Sequence, residues 1–109
     1  MTQKYLLIES RDPFDSKEVD NDYALAIDLA AQGGDTTLFL VQNGVLAARS
    51  GARTSAMNAL LNGGVHVVCD EFSLRERGIY GEHIADGVTT GPLDIVVEQL
   101  ASGTKAIWL

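Results

Sequence analysis

Short apolar runs separated by helix-periodic segments constrain this chain more than any other feature. Tyr5-Leu6-Leu7-Ile8, Thr36-Thr37-Leu38-Phe39-Leu40-Val41, Val65-His66-Val67-Val68 and Lys105-Ala106-Ile107-Trp108-Leu109 are too short for helices and rich in apolar residues, as strands covered on both faces are. Between them, Tyr23, Ala26, Ile27 and Ala30 follow helical spacing from Asp22 until Gly33-Gly34 ends it. Met57, Leu60 and Leu61 do the same after a cap at Thr54 or Ser55, and stop at Asn62-Gly63-Gly64. Gly91-Pro92-Leu93-Asp94 opens a further helix whose Leu93, Val96, Val97 and Leu100 form one apolar stripe, closed by Ser102-Gly103. A short strand is expected within Ile84 to Val88. The segment from Val45 to Arg53 reads as a loop with some helical character, and the polar stretch from Glu9 to about Asn21 as a long connection. Strand and helix alternating in this way call for parallel pairing through right-handed crossovers. The expected fold is therefore α/β, a single three-layer α/β/α domain over residues 1–109 with a mainly parallel sheet of about five strands.

Charge and cysteine usage narrow the function classes. Eight Lys and Arg against fifteen Asp and Glu leave a net charge of −7, which disfavours any surface that must neutralise nucleic-acid phosphates or anionic lipid. No segment approaches the ~20 apolar residues of a membrane span. One cysteine forms no internal disulfide, so a free thiol in a reducing compartment, the cytoplasm, is the expectation.

In a parallel sheet the loops at the carboxyl ends of the strands share one edge, and ligands bind there. That edge collects Ser10, Arg11, Asn43, Gly44, Cys69, Asp70 and Thr90. No G-x-G-x-x-G and no G-x-x-x-x-G-K-[ST] occurs, so neither a dinucleotide nor a phosphate-loop cofactor is implied. His66-x-x-Cys69 is poor metal spacing, and no G-x-S-x-G nucleophile turn exists. Arg49, Arg53 and His83 are further candidates for a cleft, and Trp108 and Tyr5 for core or subunit packing.

Cys69 is the remaining reactive group. It stands where the run Val65 to Val68 passes into Asp70-Glu71-Phe72-Ser73-Leu74-Arg75-Glu76-Arg77-Gly78, acidic first, basic last and closed by glycine, as a short helix prefers. Amides at the start of that helix favour a thiolate, whereas Asp70 and Glu71 oppose one. Two readings of the thiol stand: a nucleophile or sulfur carrier, or a buried small hydrophobe.

The turn Gln42-Asn43-Gly44-Val45 followed by Ala47-Ala48, the acidic helix ending Arg77-Gly78-Ile79, and a tryptophan at Trp108 together resemble the DsrE/DsrF/DsrH superfamily of small sulfur-relay proteins, nearest its DsrH (TusB-like) branch. The resemblance spans about residues 4 to 109. It implies the α/β/α fold, transport of sulfane sulfur as a cysteine persulfide between donor and acceptor proteins, and assembly with homologous subunits as a homo-oligomer or hetero-hexamer. By the DsrE-like pattern it gives Cys69 the carrier role, and Arg11, Asn43, Gly44, Asp70 and Thr90, gathered on the same edge by the strand topology, are the expected binding residues. The gap from Cys69 to Arg77-Gly78 is one residue longer than the DsrE-like pattern and its flanks are acidic. The first helix has Tyr23 and Ala24 where DsrH-like members carry their thiol. A supporting subunit that carries no sulfur itself, or a small-ligand module, are the alternatives.

Overall fold

The computed structural model describes residues 3–52 and 55–109. Five strands, β1 (Lys4–Glu9), β2 (Asp35–Leu40), β3 (His66–Asp70), β4 (Thr89–Gly91) and β5 (Lys105–Trp108), form one sheet in the order β4-β3-β2-β1-β5. Every pairing between them is parallel. Four α-helices connect them: α1 (Glu18–Ala31), α2 (Ser55–Asn62), α3 (Glu71–Glu76) and α4 (Asp94–Ala101). The α/β architecture expected from the alternation is the one observed.

Because side chains alternate across a strand, each strand feeds both faces of the sheet. Leu7, Leu38, Leu40, Val67 and Cys69 point to one face, where Val19, Tyr23 and Ala26 of α1 and Met57 and Leu60 of α2 cover them. Leu6, Ile8, Phe39 and Val68 point to the other and pack with Val96 and Ile95 of α4. The larger cluster thus lies beneath α1 and α2, and among the described residues the second face has a single short helix over it. Among the described residues no helix is long and apolar enough to cross a membrane.

Several boundaries differ from expectation. Helix α1 begins at Glu18 and shortens the expected loop, because fully buried Val19 extends the Tyr23/Ala26 stripe by a turn and Glu18 and Asp20 suit a helix start. The expected strand within Ile84 to Val88 is not formed. There Ile84 makes one isolated antiparallel bridge to Arg49, and the fourth strand is Thr89–Gly91, whose backbone finds β3. The segment after β2 winds into a 3₁₀ helix over Gln42–Ala48 and a second over Ser50–Ala52. On α4 the inward residues are Val96 and half-buried Ile95, while Leu93, Val97 and Leu100 of the expected stripe face outward. The candidate cap Thr54 and the candidate cleft residue Arg53 lie outside the described residues.

Candidate functional site

Strand β3 does not stop at Val68. It continues through Cys69, paired with Leu40 and Thr90, to Asp70, paired with Gly91. The helix therefore starts one residue past Asp70, and Asp70 is its cap: the carboxylate accepts from the Ser73 amide at 3.0 Å and from the Ser73 hydroxyl at 2.7 Å. The anion held at the start of α3 is thus a carboxylate and not a thiolate. Ser73 Oγ in turn accepts the Gln42 amide at 2.8 Å, and Gln42 sits at a left-handed φ of 51°. This tie joins the end of β2 to α3. Replacing the capping side chain (Asp70→Ala) removes both acceptors from a buried site and is expected to destabilise the fold by about 2–3 kcal/mol, read as a fall in the urea midpoint; Asp70→Asn recovers part of it.

Cys69 has no exposed surface and belongs to the core beneath α1. Burial, with the Asp70 charge adding to it, pushes the thiol up to about 12. Of the two readings of this residue, the buried hydrophobe describes its position. The open reach beside helix amides that a carrier needs is absent for two reasons: the strand runs two residues further, and the alternation aims Cys69 at the covered face.

The other expected site residues occupy this edge but do not converge on the thiol. Arg11 donates to Glu9 Oε1 through Nε at 3.3 Å, to Asp22 through Nη2 at 3.0 Å, and to Glu18 through Nη1. It is a clamp between the end of β1 and the start of α1. Asn43 Oδ1 receives two donors of Arg77, Nε at 3.2 Å and Nη2 at 3.0 Å, while Arg77 Nη1 reaches the Ser73 carbonyl at 3.1 Å. Gly44 passes directly over the Glu9 carbonyl. Thr90 is exposed on edge strand β4.

Sequence reasoning did not single out Glu9, Asp22 or Ser73. Glu9 ends β1 fully buried, one carboxylate oxygen held by Arg11 and the other, Oε2, without a partner. Burial raises its pKa, and the nearby Asp22 carboxylate raises it further against the opposing pull of Arg11. The Tyr23 hydroxyl is also buried and unpartnered, and is kept protonated by burial first, then by Glu9 and Cys69 nearby. A strand ending in glutamate with arginine two residues on was the available signal for Glu9. Asp70-x-x-Ser73, the spacing of a side-chain cap, was the signal for Ser73.

Comparison with known proteins places the fold. No protein-family model matches the chain, and no curated protein matches it. Among solved structures it is similar to the ychN protein from E. coli, with a TM-score of 0.88, 26% identity and coverage of 99% of this chain and 100% of that one. A protein of unknown function from Methanobacterium thermoautotrophicum, MTH1491, gives a TM-score of 0.79 at 18% identity over 100% of both chains. A conserved protein of unknown function from Bacteroides thetaiotaomicron, BT1422, gives 0.79 at 19% identity, covering 98% of this chain and 95% of that one.

Proposed function

We propose that this protein is an assembling, non-carrier subunit of an intracellular sulfur-relay complex of the DsrE/DsrF/DsrH type, nearest the DsrH (TusB-like) branch. The observation that carries this reading is the sealed state of its single thiol: Cys69 is fully buried and held protonated, so sulfane sulfur travels on the cysteine of a partner chain. The Gln42-Asn43-Gly44-Val45 turn, the Arg77-Gly78-Ile79 ending and Trp108 support the family setting.

The unpartnered side of α4 supports assembly. Val97 is 65% exposed and Leu93 and Leu100 are also open, while Trp108 on β5, 73% exposed, is in register with Ile8 of the sheet face that α4 covers. Burial of such groups between subunits removes them from water at about 25 cal/mol per Å². Size-exclusion with light scattering is expected to find the wild-type chain multimeric, and Val97→Asp with Trp108→Asp to shift it to monomer without unfolding, both positions being exposed in the single chain. Incubation with a persulfide donor followed by intact-mass measurement is expected to add no sulfur to Cys69. A monomeric wild type, alone and with homologous chains, removes the assembly reading. A sulfur adduct lost in Cys69→Ser restores the carrier reading.

A further inference from the structure

We infer that the cleft between the 3₁₀ turn Ser50–Ala52, the end of α3 and the 3₁₀ turn Gly81–His83 is a binding site for a small organic phosphate. The inference does not depend on the sulfur-relay reading. The cleft has a volume of about 600 Å³, and Arg49, Arg77 and His83 enter it from three different segments. The chain carries fifteen acidic residues and a net charge of −7, yet among the described residues no acidic residue lines this cleft. Concentrating basic groups in one concave place against the charge of the whole molecule selects an anion.

The basic groups are held ready. Arg77 is fixed by Asn43 and by the Ser73 carbonyl, contacts that occupy three of its five N–H donors and leave one on each terminal nitrogen. Among the described residues Arg49 uses only Nε, donated to the Leu46 carbonyl at 2.9 Å, with its terminal nitrogens open and no carboxylate in an ion pair with it. Glu76 and Glu82 lie loosely by Arg77 and His83, at 3.8 and 3.9 Å, and stay outside the lining. The walls are tied together by the Arg49–Ile84 bridge and by the Ala85 amide on the Ala48 carbonyl at 2.8 Å. Donors fixed before a ligand arrives lose little freedom on binding it.

Shape and charge indicate the ligand class. A carboxylate has two oxygens and is satisfied by one guanidinium, whereas a phosphoryl group presents three oxygens and up to two charges to donors converging from three sides. The cleft is larger than a bare phosphate ion needs. Its Ile79 and Ala52 walls give an organic body an apolar surface, and Ile79 is itself anchored in the core.

Titration of the full chain with phenyl phosphate, with inorganic phosphate and with benzoate, at constant ionic strength and followed by two-dimensional NMR, tests this. Saturable shifts confined to residues 49–52 and 77–83 are expected, with phenyl phosphate tightest and benzoate weakest. Arg49→Gln is expected to weaken phenyl phosphate about tenfold, the usual worth of a charge-assisted bond. Arg75→Gln removes the same charge from exposed α3 outside the lining and is expected to change affinity less than twofold. Shifts that fail to saturate, equal weakening by Arg49→Gln and Arg75→Gln, or benzoate binding as tightly as phenyl phosphate each overturn the inference.

Discussion

Native protein treated at pH 8 with a small alkylating reagent is expected to lose its Cys69 thiol at least a thousandfold more slowly than the same chain in denaturant. A thiol near its ordinary value of 9.0 is roughly 10% thiolate at that pH, while one pushed to about 12 is roughly 0.01% thiolate. Complete burial adds a steric barrier to this electrostatic one. The same shift sets a pH dependence. The folded chain holds the thiol proton above the pH at which the unfolded chain releases it, so this contribution to stability is fully present below about 9 and is lost as pH rises toward 12. The slope is about 1.4 kcal/mol per pH unit. Urea midpoints at pH 8 and pH 10 are expected to fall further apart in wild type than in Cys69→Ala. Equal alkylation rates for native and unfolded chain would show the thiol to be open and return the carrier role to it.

Gly44→Ala is expected to cost about 2–4 kcal/mol, the range of overpacking where nothing nearby can rotate away. An added Cβ lies 2.4 Å from the Glu9 carbonyl oxygen and 3.2 Å from its carbon, and both are backbone atoms. That carbonyl also receives the Val41 amide at 3.0 Å, so moving either strand end away breaks a hydrogen bond in the crossing. Gly51→Ala meets nothing within 4 Å among the described residues and serves as the control, expected within about 0.5 kcal/mol of wild type in urea titration. The glycine is needed here because the loop after β2 crosses the end of β1 at contact distance, the same loop in which Asn43 receives Arg77.

What could be read from residue order follows from which interactions are local. Strands β1, β2 and β5 and helix α2 were legible because an apolar run or a helical stripe met a turn signal: Glu9-Ser10-Arg11-Asp12-Pro13 after β1, Gln42-Asn43-Gly44 after β2, Ser102-Gly103 before β5 and Asn62-Gly63-Gly64 after α2. Strand β4 was not, since Thr89-Thr90-Gly91 has no apolar signal and is a strand only through its neighbour, whereas the more apolar Ile84 to Val88 finds no sheet edge to join. The end of β3 was misplaced for the same reason: partners on Leu40 and Thr90 extend the ladder past the first polar residue. At the site, the edge residues were gathered correctly by topology, but their pairing was not visible. Asn43 and Arg77 stand 34 residues apart and meet only once β2 and β3 are in register. The fate of Cys69 turned on one residue of strand phase, because alternation decides whether a side chain faces a helix or open space.

The strand order places the first strand beside the last, with β1 held between β2 and β5. During synthesis one flank of Leu6, Leu7 and Ile8 can be satisfied as soon as residues 35–40 emerge, but the other waits for residues 105–108, nearly the whole chain later. A ribosome-bound or prematurely terminated chain therefore displays a bare, strongly apolar strand, the kind of template on which nascent polypeptides aggregate. The seam along Leu6, Leu7 and Ile8 closes only when residues 105–108 pair with it.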